Sequence, residues 1–279
     1  MDAAHLLVVI ALGFGAGTIG ALLGLGGGIF LVPALTWIFG LPVRQAAGVG
    51  LMTVIATSGA VSSETVRHGF VNTRLGMLLL VGSSIGGLMG GITAQYVSEA
   101  TVALVFAITT AAIAVVGLLH LDHVNVVDDA SAVPNAYGGR FFDPDRGREV
   151  VYHVVRLPLA LAASVVAGNV SGLLGLGGGL LQVPALNLWC GVPIRVATAT
   201  SAFLIGLTAV SSAPIYFAHG NVDAHYAAAA VIGVLGGARW GTRFGAARPK
   251  RDLKLLLAVV LSIVSLLMFV RWWKVVGHS

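Results

Sequence analysis

Two stretches of this sequence decide the fold, because the second repeats the first. Leu22-Leu23-Gly24-Leu25-Gly26-Gly27-Gly28 recurs as Leu173-Leu174-Gly175-Leu176-Gly177-Gly178-Gly179, and Val-Pro-Ala-Leu follows each copy, at 32–35 and 183–186. At a constant offset of 151 residues, 15 of the 25 positions from 22 to 46 are identical in the second copy. Matching glycines continue the same register for about 70 residues, which indicates an internal duplication.

The composition places the chain in a membrane. It is 57% hydrophobic and 10% charged, with a mean hydropathy of +0.94, whereas soluble domains are about 25% charged. Apolar stretches long enough to cross a bilayer occur at 6–24, 46–65, 75–97, 101–119, 155–174, 197–217, 224–242 and 254–272. Two shorter stretches, 28–41 and 179–192, follow the glycines and suit broken or re-entrant helices. The sequence predicts an all-α polytopic membrane protein, multi-pass in the cell inner membrane.

A polar segment, 120–153, separates an N-terminal membrane repeat (1–119) from a C-terminal one (154–279). The segment contains six of the eleven acidic residues. Its three histidines have no recognised metal-ligand spacing, so we expect a solvated linker and no metal site.

The loop charges predict that the two repeats are inverted. Loop 66–74 has two arginines, whereas its counterpart 217–225 has no lysine or arginine. The loop near Glu99 lacks cations, and its counterpart is the most basic loop of the chain. Because basic loops favour the cytoplasmic side, equivalent loops face opposite sides, as in repeats related by an axis in the membrane plane.

The glycine triplets are the first candidates for a substrate site. A glycine run weakens a helix and exposes backbone, and paired helix breaks in a membrane protein are typical of substrate sites. An exposed helix N-terminus favours an anion. The alternative is close helix packing, which small residues four apart permit. The candidate residues are Gly26, Gly27, Gly28, Gly177, Gly178 and Gly179. We expect Pro33 and Pro184 to have structural roles, because each short helix is expected to begin near its proline.

A second repeated motif places an arginine after a proline. Pro42 and Pro193 predict helix starts, which put Arg44 and Arg195 in the first helical turn. A cation is disfavoured there by the helix dipole. Either these arginines attract an anion at a pore mouth, or they contact lipid headgroups or loop carbonyls.

Polar residues cluster in the second half, beside its glycine triplet. Hydroxyls and amides can bind an oxyanion, although a lone Ser or Thr in a membrane helix usually bonds its own backbone. The candidates for substrate binding are Gln182, Asn187, Thr200 and Ser201.

Three titratable residues are candidates for proton coupling. His68 and His219 occupy equivalent positions before a glycine, where the alternative is a helix cap. Glu64 is the third candidate, with a surface ion pair to Arg67 as the alternative.

Taken together, these motifs resemble the TauE/SafE sulfite-exporter family of membrane permeases. The resemblance rests on Gly-x-Gly-Gly-Gly, Val-Pro-x-Leu, Gly-x-Pro and a Thr-Ser pair, and it covers about 200 residues over both halves. It implies a permease with two homologous modules that moves sulfite, thiosulfate, sulfoacetate or related sulfur compounds. It assigns Thr200 and Ser201 to the family's hydroxyl pair. Val49-Gly50 replaces that pair in the first half, so hydroxyl contacts are expected mainly from the second.

The sequence therefore predicts a secondary transporter that moves a small anion by alternating access, as one half rocks against the other. It has no phosphate-binding Gly-x-x-x-x-Gly-Lys-Ser/Thr motif, so we expect that this chain consumes no ATP. We expect no cofactor, and no nucleic-acid partner because the basic residues lie in loops. A proton or sodium ion is a candidate for coupling, and a homo-oligomer is a further candidate assembly. The alternatives are a passive anion channel and, with no His-Glu-x-x-His motif or intramembrane aspartate pair to support it, an intramembrane enzyme.

Overall fold

The computed structural model describes residues 3–67, 69–120, 135–143, 147–245 and 250–277. Within these residues the chain forms ten α-helices, one short π-helical turn and one β-hairpin. In chain order these are α1 Ala3–Leu23, α2 Gly28–Ile38, α3 Val43–Arg67, α4 Thr73–Tyr96, α5 Glu99–His120, β1 Gly139–Asp143, β2 Arg148–Tyr152, α6 Leu157–Leu174, α7 Gly179–Pro184, the π-turn Ala185–Trp189, α8 Ile194–Ala218, α9 Ala224–Gly245 and α10 Lys250–Gly277.

Every predicted membrane span is a helix. Six of the described helices (α1, α3, α4, α6, α8 and α10) are long and apolar enough to cross a bilayer. Helices α5 and α9 cover the other two predicted spans. The prediction of an all-α polytopic membrane protein is confirmed.

The two short helices are re-entrant. Val155, just before α6, donates its N–H to the carbonyl of Cys190, just after the π-turn, at 3.0 Å. In the first repeat the ring of His5, at the start of α1, lies 6.0 Å from that of Phe39, at the end of α2. Each short helix therefore returns to the face of the bundle where the preceding long helix began.

The prediction that the short helices begin near their prolines is wrong. Helix α2 begins at Gly28 and α7 at Gly179, so Pro33 lies inside α2 and Pro184 is the last residue of α7. The glycines, which turn the chain, set the start instead. A proline inside a helix removes one backbone hydrogen bond, and the π-helical turn begins directly after Pro184.

The two repeats are intertwined, because the first helix of each packs against the third long helix of the other. A Cβ added at Gly86 on α4 would overlap the carbonyl oxygen of Val165 on α6. The same relation holds between Gly237 on α9 and Phe14 on α1. Positions 86 and 237 are repeat equivalents, as are 14 and 165. Small residues thus bring the backbones into contact, as in other tightly packed membrane helices.

Helices α3 and α8, which are repeat equivalents, lie antiparallel at the centre. Gly48 near the start of α3 contacts Asn221 just after α8. At the other end, Asn72 after α3 donates its N–H to Thr200 Oγ1 near the start of α8, at 3.0 Å. The equivalent helices therefore run in opposite directions, as the loop charges predict for inverted repeats.

Part of the polar segment between the repeats is a folded hairpin that packs on one end of the bundle. Its apolar residues Phe141, Val150 and Tyr152 are buried against α4, α8 and the π-turn. Asn72 Nδ2 donates to the carbonyl of Tyr137 at 2.7 Å and to the Tyr152 hydroxyl at 2.8 Å. Burial raises the pKa of Tyr152, and the hydrogen bond from Asn72 opposes that rise. We call this end of the bundle the hairpin face and the other end the terminal face.

Candidate functional site

The two glycine runs form tight turns between each long helix and its re-entrant partner. Gly24 and Gly26 have φ angles of +67° and +78°, and Gly175, Gly177 and Gly178 have φ angles of +72°, +86° and +72°. Side-chain-bearing residues pay about 1–2 kcal/mol for this left-handed conformation. The expectation of a broken helix in each half is confirmed.

The two turns converge on one pair of central residues. A Cβ at Gly26 would lie 3.5 Å from Val54 Cγ2 and 3.8 Å from Ile205 Cγ2. A Cβ at Gly177 would overlap the side chains of both. Gly26 and Gly177 are repeat equivalents, and so are Val54 on α3 and Ile205 on α8. The pseudo-symmetry axis of the repeats therefore passes between Val54 and Ile205.

Direct backbone contact links the turns across the repeats. A Cβ at Gly28 would lie 2.6 Å from the carbonyl oxygen of Gly175, which is also close to Gly50. Gly24 contacts Thr198 on α8, and its equivalent Gly175 contacts Ala47 on α3. The re-entrant turns are packed closely against the central helix pair, and any motion of α3 relative to α8 must move them.

A small cavity lies beside the first turn, with room for about one water molecule. One wall is fixed by Ser58, whose Oγ donates to the carbonyl of Ala202 at 2.6 Å and accepts the N–H of Gly206 at 3.1 Å. The hydroxyl thus bridges one turn of α8. The lining residues are Gly20, Gly24, Gly26, Thr57, Ser58, Val61, Ala202 and Ile205.

The polar candidates of the second half separate into two groups. Ser201 and Gln182 are buried together beside the second turn, with Ser201 Oγ 3.5 Å from Gln182 Oε1 and 3.5 Å from the Gly179 carbonyl oxygen. Thr200 instead accepts the N–H of Asn72, at 3.0 Å. Asn187 Nδ2 donates to the carbonyl of Val192, at 2.9 Å, within the loop before α8.

The sequence reasoning missed Ser164, which belongs with the first of these groups. Gln182 Nε2 lies 3.5 Å from Ser164 Oγ on α6, and Ser164 in turn donates to the Leu79 carbonyl at 2.6 Å. A single serine inside a membrane span gives no signal in the sequence, because most such serines bond their own helix.

The two arginines lie at opposite faces. Arg44 is the second residue of α3 and Arg195 of α8, as predicted from the prolines. Both are half-buried. Arg44 Nη2 donates to the carbonyl of Val97, the residue that follows α4, so the loop-carbonyl interpretation describes its contact. No described residue accepts from its buried Nε.

Two of the three candidates for proton coupling, His219 and Glu64, lie away from the glycine turns. His219 is the C-cap of α8, with Nδ1 2.8 Å from the Ile215 carbonyl oxygen. It is exposed at the terminal face, and Glu64 is exposed near the end of α3. His68 lies outside the described residues.

Inverted repeats with paired re-entrant helices define a class: multi-pass membrane proteins that carry small solutes. The model of the family described as sulfite exporter TauE/SafE matches residues 9–268. The chain belongs to this family. It is therefore a membrane transporter.

Relatives of the same length carry the same general description. The chain is 29% identical over 269 residues to the probable membrane transporter protein YunE of Bacillus subtilis, covering 92% of this chain and 95% of that protein. It is 25% identical over 287 residues to a probable membrane transporter protein of Xylella fastidiosa, with 98% of each covered. No solved structure gives a significant match.

Proposed function

We propose that this protein is a secondary transporter for a small sulfur oxyanion or organosulfonate, and that it works by alternating access around the paired glycine turns. The observation that carries the proposal is the convergence of Gly26 and Gly177 on Val54 and Ile205 at the pseudo-symmetry axis. Two re-entrant helices that meet at one central helix pair give a single site that either face can reach in turn.

The chemistry near the turns suits an anion held by neutral groups. Hydroxyls and an amide occur there, in Thr57, Ser58, Gln182 and Ser201. Among the described residues that line the cavity or contact the turns, none is charged. Hydrogen bonds from neutral donors to a charged acceptor are worth about 1.5–3 kcal/mol each, enough to bind an anion without preventing its release.

The intertwined packing supports one division of the helices into two moving groups. Because α1 is held against α9 and α4 against α6 by backbone contacts at glycine, the two sequence halves do not separate as rigid bodies. We infer that α1, α2, α3 and α9 rock against α4, α6, α7 and α8. The contact between α3 and α8, with Val54 and Ile205 at its centre, is the interface that changes.

Uptake into proteoliposomes tests the proposal. Purified protein in liposomes is assayed with labelled sulfite, thiosulfate, sulfate and sulfoacetate, against protein-free liposomes. We expect saturable uptake of one of these anions and accelerated exchange when the liposomes are preloaded with it. Flux without saturation or exchange would instead indicate a channel. No flux of any of the four under imposed proton or sodium gradients would contradict the proposal.

A further inference from the structure

A group of buried polar side chains lies on one side of the glycine turns, between α4, α6, α7 and α8. Gln182 is 3% exposed, and its nearest polar side chains, Ser164 and Ser201, are both at 3.5 Å. That distance is at the limit of a hydrogen bond. A buried amide whose hydrogen bonds are this long is under-satisfied, and such groups usually have a functional reason to be there.

Ser171 adds a second under-satisfied group to the same side. It is 0% exposed, and its Oγ has no hydrogen-bond partner among the described residues. A Cβ at Gly178, in the second turn, would lie 3.1 Å from the Ser171 Cβ. Ser171 is seven residues after Ser164, two turns further along α6, so both lie on the face of that helix that meets α7.

A hydroxyl pair extends the set toward the centre of the bundle. Thr208 Oγ1 on α8 donates to Ser83 Oγ on α4, at 2.8 Å, and both residues are buried. Thr208 is seven residues after Ser201, which corresponds to a rise of about 10 Å along α8. We call Ser83, Ser164, Ser171, Gln182, Ser201 and Thr208 the polar belt.

The first repeat has no equivalent of the belt. At the constant offset of 151, five of its six positions are glycine or apolar, and only Thr208 has a polar counterpart, Thr57. The counterparts of the other five are Val234 for Ser83, Gly13 for Ser164, Gly20 for Ser171, Leu31 for Gln182 and Gly50 for Ser201. A role in packing alone would not require polar groups on one side of a symmetric arrangement, because the other side packs without them.

We infer that the polar belt is a one-sided anion-binding pathway, with Gln182, Ser201 and Ser171 as the residues that donate to the anion. This inference rests on the proposed function. Each of the three presents an N–H or O–H donor with no short bond to a protein acceptor, and the belt contains no carboxylate that would repel an anion. The first repeat then contributes its glycine turn and a largely apolar wall opposite, in which the hydroxyls of Thr57 and Ser58 already donate to backbone carbonyls.

Removing the polar groups of three belt residues tests this. Gln182→Leu, Ser201→Ala and Ser171→Ala are compared with wild type for uptake of the anion that wild-type proteoliposomes carry. We expect about a tenfold rise in KM for Gln182→Leu and Ser201→Ala, as each loses a hydrogen bond to a charged ligand. We also expect a smaller thermal shift on adding that anion, with the melting temperature of the unliganded protein close to wild type.

Two further variants serve as controls, one for the loss of a buried hydroxyl elsewhere and one for the side on which the amide lies. Thr110→Val removes a buried hydroxyl that bonds only carbonyls of its own helix, α5, and should leave KM unchanged. When Leu31→Gln is added to Gln182→Leu, it places the amide on the first-repeat side. This double variant should not regain the wild-type KM.

The outcomes distinguish this inference from the proposed function. Wild-type transport with KM and thermal shift unchanged in Gln182→Leu and in Ser201→Ala would overturn the one-sided pathway alone. If Gln182→Leu does not fold, the KM and thermal shift of Ser201→Ala and Ser171→Ala test the inference instead. Absence of transport and of any thermal shift in the wild type would overturn both.

Discussion

Val54 and Ile205 occupy equivalent positions in the two repeats, and both of them contact the glycine turns of both repeats. The arrangement makes the two turns mechanically dependent on one pair of aliphatic side chains. A change in the conformation of either turn therefore affects the packing of the other.

Gly177→Ala should destabilise the protein. The new Cβ would overlap Ile205 and Val54, and φ at this position is +86°. The backbone strain costs about 1–2 kcal/mol and the overpacking about 1–3 kcal/mol more. We expect a clearly lower melting temperature of the detergent-solubilised protein.

Gly15→Ala is the matched control, because nothing lies within 4 Å of a Cβ at that position on α1. It should be neutral or slightly stabilising, since alanine favours a helix by roughly 0.5–1 kcal/mol over glycine. Adding Ile205→Ala to Gly177→Ala should relieve only part of the overpacking, because Val54 would still overlap the new Cβ. Equal melting temperatures for Gly177→Ala and Gly15→Ala would show that the turn is not packed as described.

The intertwining of the repeats predicts a specific cross-link. Asn221 Nδ2, after α8, donates to Gln95 Oε1, near the end of α4, at 2.6 Å. Cysteines at these two positions, in a Cys190→Ala background, should be joined by a short bifunctional thiol reagent that forms reducible mixed disulfides. With a protease site inserted in 121–134, the cleaved chain should run as one band without reductant and as two with it.

Gln95→Cys alone serves as the control and should give two bands in both conditions. Two separate bands from the cross-linker-treated double-cysteine variant without reductant would mean that α4 and α8 do not meet at the terminal face.

Asn72 is predicted to hold the hairpin on the bundle. It caps α4 through Oδ1 and donates through Nδ2 to Tyr137 and Tyr152. Asn72→Ala should cost about 1 kcal/mol for the cap and about 1 kcal/mol for each lost hydrogen bond. We expect faster tryptic cleavage at Arg140 and Arg148, followed by mass spectrometry.

Asn72→Asp tests which part of this effect belongs to the hairpin. It keeps the acceptor that caps α4 but removes both donors, so its hairpin should be cleaved nearly as fast as in Asn72→Ala while the melting temperature falls less. Wild-type cleavage rates in both variants would contradict a restraining role for Asn72.

Much of the fold could be predicted from the sequence, because hydropathy and the exact repeat report directly on span length and duplication. The sequence does not predict which helix packs against which. The stripe of Gly82, Gly86 and Gly90 indicates that a helix packs closely, but any helix with a similar stripe would fit it. Only the structure shows that the partner is α6 of the other repeat.

The candidate site was harder to predict because adjacent residues on a helix point about 100° apart. Thr200 and Ser201 form one dipeptide, yet Ser201 faces the second turn and Thr200 faces Asn72. Likewise, the start of α2 depends on where the glycine turn ends, which the position of Pro33 does not reveal.

The distribution of charge predicts that the hairpin face lies in the cytoplasm. The described basic residues at this face include Arg74, Arg140, Arg148, Arg156, Arg195, Arg239 and Arg243. At the terminal face the described ones are Arg44, Arg271 and Lys274. Because lysine and arginine near the ends of spans favour the cytoplasmic side, the terminal face should be external.

Labelling of single cysteines in intact cells checks this orientation. Ser98 is exposed at the terminal face between α4 and α5, and Phe142 is exposed on the hairpin. In a Cys190→Ala background, Ser98→Cys should react with a membrane-impermeant maleimide in intact cells, whereas Phe142→Cys should react only after the cells are opened. Both should react equally in detergent, which controls for local reactivity. The reverse pattern would place the hairpin outside and would mean that the arginine-rich face does not set the topology.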